Sequence, residues 1–279
     1  PGEKITLNVC FLTKLAKINH RTGIGQKSIN LGNFYPVLCA YLDGEFYECV
    51  YYSDGDPFVS ECASYQVVLT VPKEYTVAAT GKVTSEKTLE SKKEYTMSAS
   101  NVRDFAIVLS DCFEVAETKW KGVDIKYYYY NDETPAAHLA AAQEALEYYS
   151  ATFGAYPYDI YSVVQTGFCY GGMEFPALSL ISDALNEQNC VYTIVHETAH
   201  QWWYVAVGSN QVENAWQDEG LTEYSAALFF ENHPDYGFTR EQLVSDALAE
   251  YRSYYNVYSQ VFGDADTRMT RSLKDYLSE

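Results

Sequence analysis

The run VHETAHQWW sets two histidines four residues apart with a glutamate directly after the first: His196, Glu197 and His200. On a helix, positions i and i+4 share a face, so both imidazoles can offer a ring nitrogen to one metal ion. Zinc held by three protein ligands keeps a fourth position for water, whose pKa falls to about 7, and a carboxylate one residue from the first ligand can take that proton. Glu197 is so placed. The third ligand falls to Glu219, with eighteen residues between it and His200, at the start of DEGLTEYSAALFFEN. That stretch reads as a second helix, with Leu221, Tyr224, Leu228 and Phe229 at apolar helical spacing. One turn further on, Glu223 can accept the outer N–H of a ligand histidine and fix that ring's tautomer. The set predicts one zinc ion on His196, His200 and Glu219, with Glu197 as general base of a hydrolytic reaction. With only five histidines in the chain, a chance match to this pattern is rare.

Which zinc hydrolase is meant depends on the flanks. A metzincin would carry Gly at 203 and His at 206, where Trp203 and Ala206 stand. Upstream lies GGMEFPAL, from Gly171 to Leu178. With these motifs together the chain resembles the aminopeptidase N family of zinc metallopeptidases. There a Gly-x-Met-Glu-Asn edge strand lies against the bound peptide, and its Glu grips the free α-amino group. The resemblance implies a zinc-dependent aminopeptidase whose substrate is a peptide with a free N-terminus, and it makes Gly171, Gly172, Met173 and Glu174 substrate-binding residues. Phe175 departs from the family pattern, which has Asn there. SINLGNFYPVLCAYLDG, GDPFVSE and NVRDFAIVLS resemble segments of the N-terminal β-domain in bacterial members, while the specific motifs are confined to residues 167–224. The family also uses a tyrosine that stabilises the oxyanion. By resemblance it is expected just past Glu279, with Tyr251, Tyr254, Tyr255 and Tyr258 as the nearer possibilities. Two other readings stand beside the aminopeptidase. One is a zinc endopeptidase, which would tolerate a blocked amino group. The other is a non-catalytic binding protein braced by zinc, against which the open fourth position argues, since structural zinc sites have four closed ligands.

A chain of 279 residues suggests two domains, and its 47% hydrophobic content agrees with a globular fold. From Ile5 to about Tyr130, alternating runs such as Thr6 to Leu12, Tyr65 to Val71 and Asp104 to Ser110 are broken by Gly, Asp and Pro turns, the mark of an all-β region. At 131–135 the period changes. Thr134 is expected to cap a helix with Pro135 at its first position, running through AAHLAAAQEALEYYSATFG to a stop at Gly154. A strand at Ile160 to Thr166, the GGMEFP edge, a strand near Leu178 to Ile181, a zinc helix from about Asn189 and an amphipathic, tyrosine-rich helix from Thr239 to Phe262 follow. The expected fold class is α+β and multidomain: a β-sandwich-like domain over 1–130, then a thermolysin-like α/β catalytic domain over 131–279, an architecture the resemblance supplies and the periodicity permits. A start at Pro1 part-way into a β-pattern, with the family tyrosine expected beyond 279, suggests that both domains are incomplete.

A net charge of −19 opposes nucleic acid or an anionic membrane as partner. No apolar stretch approaches the ~20 residues of a membrane span, and PGEKITLNVC lacks the shape of a secretory signal. Seven cysteines, at 10, 39, 49, 62, 112, 169 and 190, include no CxxC pair, and buried free thiols are the expectation. His20 in the turn NHRTG, His138 and His233 lack ligand spacing and read as structural. The 27 tyrosines have no basic residues interleaved and read as packing groups.

Overall fold

Alternating strands bury one face and leave the other to solvent, which is what antiparallel sheets require. The computed structural model describes residues 3–48, 50–52, 55–263 and 266–277. Its first nine strands are β1 (Thr22–Ile24), β2 (Ile29–Leu31), β3 (Tyr41–Leu42), β4 (Glu45–Phe46), β5 (Ala63–Pro72), β6 (Thr76–Ala79), β7 (Lys82–Thr88), β8 (Lys92–Val102) and β9 (Ile107–Ser110). They form a four-stranded sheet in the order β1-β2-β9-β6, a three-stranded sheet β5-β8-β7, and the small hairpin β3-β4. Val71, Tyr95 and Met97 from the second sheet pack with Val77, Ala79, Ile107 and Leu109 from the first, so the two share one core.

The second part is a mixed α/β layer: β10 (Glu114–Trp120), β11 (Val123–Tyr129), α1 (Pro135–Phe153), β12 (Ile160–Thr166), β13 (Gly172–Phe175), β14 (Leu178–Ser182), α2 (Glu187–Ala199), α3 (Glu219–Asn232) and α4 (Arg240–Val261). Its five-stranded sheet runs β10-β11-β12-β14-β13, with β11, β12 and β14 parallel and both outer strands antiparallel. Central β12 is buried at every position after its first, as a strand covered on both faces must be. On one face lie α1, α2 and α3, through Ala145, Tyr149, Ile194, Val195, Phe229 and Phe230. On the other, Val164, Met173, Phe175 and Leu180 meet Ala78 and Val108 of the four-stranded sheet. β13 is therefore an edge strand held between the zinc-motif helix and the N-terminal β-structure.

Several expectations are corrected. Thr6 to Leu12 forms no strand, and Leu7 and Leu12 are exposed, because alternation makes a strand only where a partner edge exists. β10 and β11 join the five-stranded sheet, so the change of period at 131 marks where helices begin and not where that sheet begins. Thr134 makes no side-chain cap; Asp132 instead accepts the Thr134 N–H at 2.9 Å. In α3 the buried set is Thr222, Ser225, Ala226, Ala227, Phe229 and Phe230, while Tyr224 is 54% exposed. The tyrosine-rich helix forms as α4, but none of its described residues is buried. Cys10, Cys39, Cys62, Cys112 and Cys169 are exposed and free, only Cys190 is buried, and Cys49 lies outside the described residues. No helix among the described residues is long and apolar enough to cross a membrane.

Candidate active site

Asn186 starts α2 by accepting the Asn189 N–H on its side chain at 2.9 Å, and the helix runs to His200 at its C-cap, still in helical backbone. His196 and His200 therefore project from one face. The chain then loops over residues 201–218 and begins α3 at Glu219, which faces them. The Nε2 atoms of His196 and His200 stand 3.1 Å apart, and Glu219 Oε2 lies 3.4 Å from the first and 3.7 Å from the second. Three ligands around a zinc ion at about 2.0–2.1 Å would be separated by roughly 3.3 Å, so the spacing suits one such ion.

The outer ring nitrogens agree. His200 Nδ1 lies 2.9 Å from Asp218 Oδ1 and 3.0 Å from the Trp203 carbonyl, and His196 Nδ1 lies 3.2 Å from Glu223 Oε1. Neutral rings that donate outward from Nδ1 turn Nε2 lone pairs toward each other, an arrangement that a cation between them reconciles. The charge balance points the same way. Burial opposes a charged His196, yet its hydrogen bonds to Glu219 and Glu223 outweigh that and lift its pKa to about 10. His200 is likewise buried but raised well above its ordinary value by Asp218. The carboxylates around these rings thus favour added positive charge, which a divalent ion would supply.

Glu197 extends from the same helix into a cavity of about 360 Å³ that Gly171, Gly172, Glu174, His196 and Glu219 also line. It is 4% exposed, its Oε2 is buried without a hydrogen-bond partner, and burial pushes its carboxyl up to about 7 against the pull of the two histidines. Gly172 is required beside it: a Cβ there would stand 2.6 Å from Glu197 Cδ and 2.7 Å from Cγ. Along β13 the side chains alternate. Gly172 and Glu174 face the cavity, while Met173 and Phe175 enter the core shared with the N-terminal sheet. Phe175 packs so closely against that sheet that a Cβ on Gly32 would meet its Cε2 at 2.8 Å. The residue that departs from the family pattern is thus a buried anchor of the edge strand.

Of the nine residues given roles in the sequence, Gly171, Gly172, Glu174, His196, Glu197, Glu219 and Glu223 line this cavity, His200 lies buried behind His196, and Met173 turns into the core away from a substrate; the structure adds others. Asp218, 2% exposed, accepts from Gln211 Nε2 at 2.5 Å while its other oxygen faces His200. Asp56 reaches in from the GDPFVSE segment, with a carboxylate oxygen within 4.8 Å of those of Glu174 and Asp218. Arg21 and Tyr192 also line the cavity, and the Tyr192 hydroxyl donates to Glu223. A carboxylate next to a ligand glutamate was the available signal for Asp218. In the sequence GDPFVSE carries only a family-like pattern, and nothing local in NHRTG marks Arg21. Tyr251 and Tyr254 line a separate cavity of about 550 Å³ with Trp216, Met269 and Glu219.

Residues 137–261 match the model of the peptidase family M1 domain. No curated protein matches the sequence. Among solved structures, a variant of a two-domain M1 zinc metallopeptidase bound to L-arginine is 21% identical with a TM-score of 0.56, covering 69% of this chain and 45% of that one. An M1 zinc metallopeptidase from Deinococcus radiodurans is 20% identical with a TM-score of 0.58, covering 78% and 49%. The chain thus spans about half the length of these structures, and at such identity the likeness establishes the fold.

Proposed function

We propose that this chain, whose residues 137–261 match the model of the peptidase family M1 domain, is the zinc-dependent aminopeptidase part of a protein that removes residues from the N-terminus of peptides, on a thermolysin-like catalytic unit. The observation that carries this reading is the convergence of His196, His200 and Glu219 beside two buried carboxylates, Glu197 and Glu174, in one cavity. His196, His200 and Glu219 would hold one zinc ion, which when bound supplies Lewis-acid polarisation of the scissile carbonyl and activation of water. Asp218 orients the His200 ring by taking its outer N–H, and Glu223 stands 3.2 Å from the outer nitrogen of His196 as a charge neighbour.

Glu197 is the group that takes a proton from water and returns it to the leaving amine. A carboxyl raised to about 7 is suited to both directions near neutral pH. Glu174 supplies an acceptor for the substrate ammonium: its Oε1 is buried without a partner, and Asp56 adds a second carboxylate within reach. An ammonium desolvated against these carboxylates forms charge-assisted hydrogen bonds that a blocked N-terminus cannot make. The distance from that anchor to Glu197 then sets cleavage after one residue.

The test compares hydrolysis of free and N-acetylated peptides of one sequence by the zinc-loaded protein. An aminopeptidase cleaves only the free form, releasing single residues. Equal cleavage of both forms would make it an endopeptidase, and zinc binding with no cleavage of any peptide would favour a binding protein.

A further inference from the structure

Arg21 precedes β1 in the N-terminal β-structure, yet its guanidinium lies in the wall of the catalytic cavity, 6% exposed. One planar group there touches two distant segments, 55–58 and 170–173. Nη2 donates to the Gly55 carbonyl at 3.1 Å and is ion-paired with the Asp56 carboxylate. Nε points at Met173 Sδ at 3.0 Å, on the strand that bears Glu174. The face of the group lies over Phe58, 5.3 Å from the ring centroid, and over Tyr170, 5.7 Å away. Only a flat guanidinium can combine stacking with donors along two edges; an ammonium on a flexible stem cannot.

The position has an electrostatic reason. Asp56, Glu174 and Asp218 bring carboxylate oxygens within 4.8 Å of one another in a buried place, and three like charges so close repel unless a cation stands beside them. Arg21 supplies that cation at Asp56, while His200 faces Asp218. The buried, unpartnered Glu174 Oε1 shows that the cluster still has an acceptor free for a ligand.

We propose that Arg21 is the positioning residue of the amino-group subsite: it holds Asp56 beside Glu174 and fixes β13 through Met173, so discrimination in favour of a free N-terminus depends on it. The inference rests on the reading of Glu174 as the amine anchor. Arg21 itself need not touch the substrate.

Binding to the zinc-loaded protein by calorimetry tests this with three probes: leucine hydroxamate, its N-acetyl derivative and acetohydroxamate. The parent is expected to prefer the free amine by at least about tenfold, the scale of one charge-assisted pair. Arg21→Met should weaken leucine hydroxamate by roughly ten- to a hundredfold, because Asp56 is left buried without its partner. N-acetyl-leucine hydroxamate and acetohydroxamate should change by less than about twofold, and zinc content should stay at parental level. Arg21→Lys should restore part of the loss, supplying charge without the fork. Asp56→Asn keeps Arg21 in place and should reproduce the loss of discrimination, and the partial loss in Arg21→Lys carries the test if Arg21→Met does not fold. A parent that discriminates while Arg21→Met, or Arg21→Lys if Arg21→Met does not fold, discriminates equally well overturns the role of Arg21 alone. An equal loss for all three probes, unrescued by Lys, also overturns it, by showing a merely structural effect. A parent that binds the free and acetylated forms alike overturns the aminopeptidase reading, and the subsite with it.

Discussion

Replacing Gly172 with alanine should disable the reaction while leaving the metal site intact. The added methyl would stand 2.6 Å from Glu197 Cδ and 2.7 Å from Cγ, whereas ordinary contact begins at 3.4 Å. Relief thus requires a movement of about 1 Å by Glu197 or by β13. Misplacing a catalytic group by about 1 Å can cost on the order of a hundredfold, or about 2.7 kcal/mol of barrier. If β13 yields instead, Glu174 moves with it and the loss appears in KM. Gly171→Ala is the control, since its methyl would meet only Thr193, at 3.6 and 3.8 Å. The assay is the turnover of an amino-acid anilide at matched zinc occupancy, with kcat and KM measured separately. The expected result is a kcat/KM about a hundredfold lower for Gly172→Ala and near parental for Gly171→Ala, with zinc retained by both. A parental rate in Gly172→Ala would refute the placement of Glu197 against the edge strand, and an equal loss in both variants would refute the claim that the clash with Glu197 is the cause.

Three further outcomes are expected. His196→Ala, His200→Ala and Glu219→Ala should each lose zinc by elemental analysis, while Glu197→Gln should keep zinc and lose hydrolysis, because it removes a base and not a ligand. Asp218→Asn, which weakens the acceptor of the His200 Nδ1–H, should lower zinc affinity by about ten- to a hundredfold in a competition titration. Asp132 accepts from His138 Nδ1 at 2.7 Å and from the Thr134 N–H, and although burial opposes its charge, these bonds hold its carboxyl below the usual range. A depressed carboxyl stabilises the fold above its unfolded pKa of about 3.9 and ceases to as pH falls through the folded value. Asp132→Asn should therefore cost about 1 kcal/mol in denaturant unfolding near neutral pH, and the deficit should shrink below about pH 4.

Local rules made much of the site legible. The i, i+4 spacing of His196 and His200 and the helix opening at Glu219 are properties of short segments, and the structure brings their side chains together as that spacing requires. The strand at Ile160 to Thr166 was readable for the same reason, as a short apolar run between turn signals. Alternation at Thr6 to Leu12 misled, because a strand needs a partner that no local pattern encodes. The apolar stripe drawn on α3 misled too: packing against α1 and α2 buries Ala226, Phe229 and Phe230 and leaves Tyr224 in solvent. Tertiary structure alone decided who stands beside Glu174. Arg21 meets Met173 across 152 residues of chain, and Asp56 meets Glu174 only because Phe175 and Met173 bury themselves in a core shared with the N-terminal sheet. Ligand spacing is written along one helix; the neighbours of a buried charge depend on how separate sheets pack, and that is a property of the whole chain.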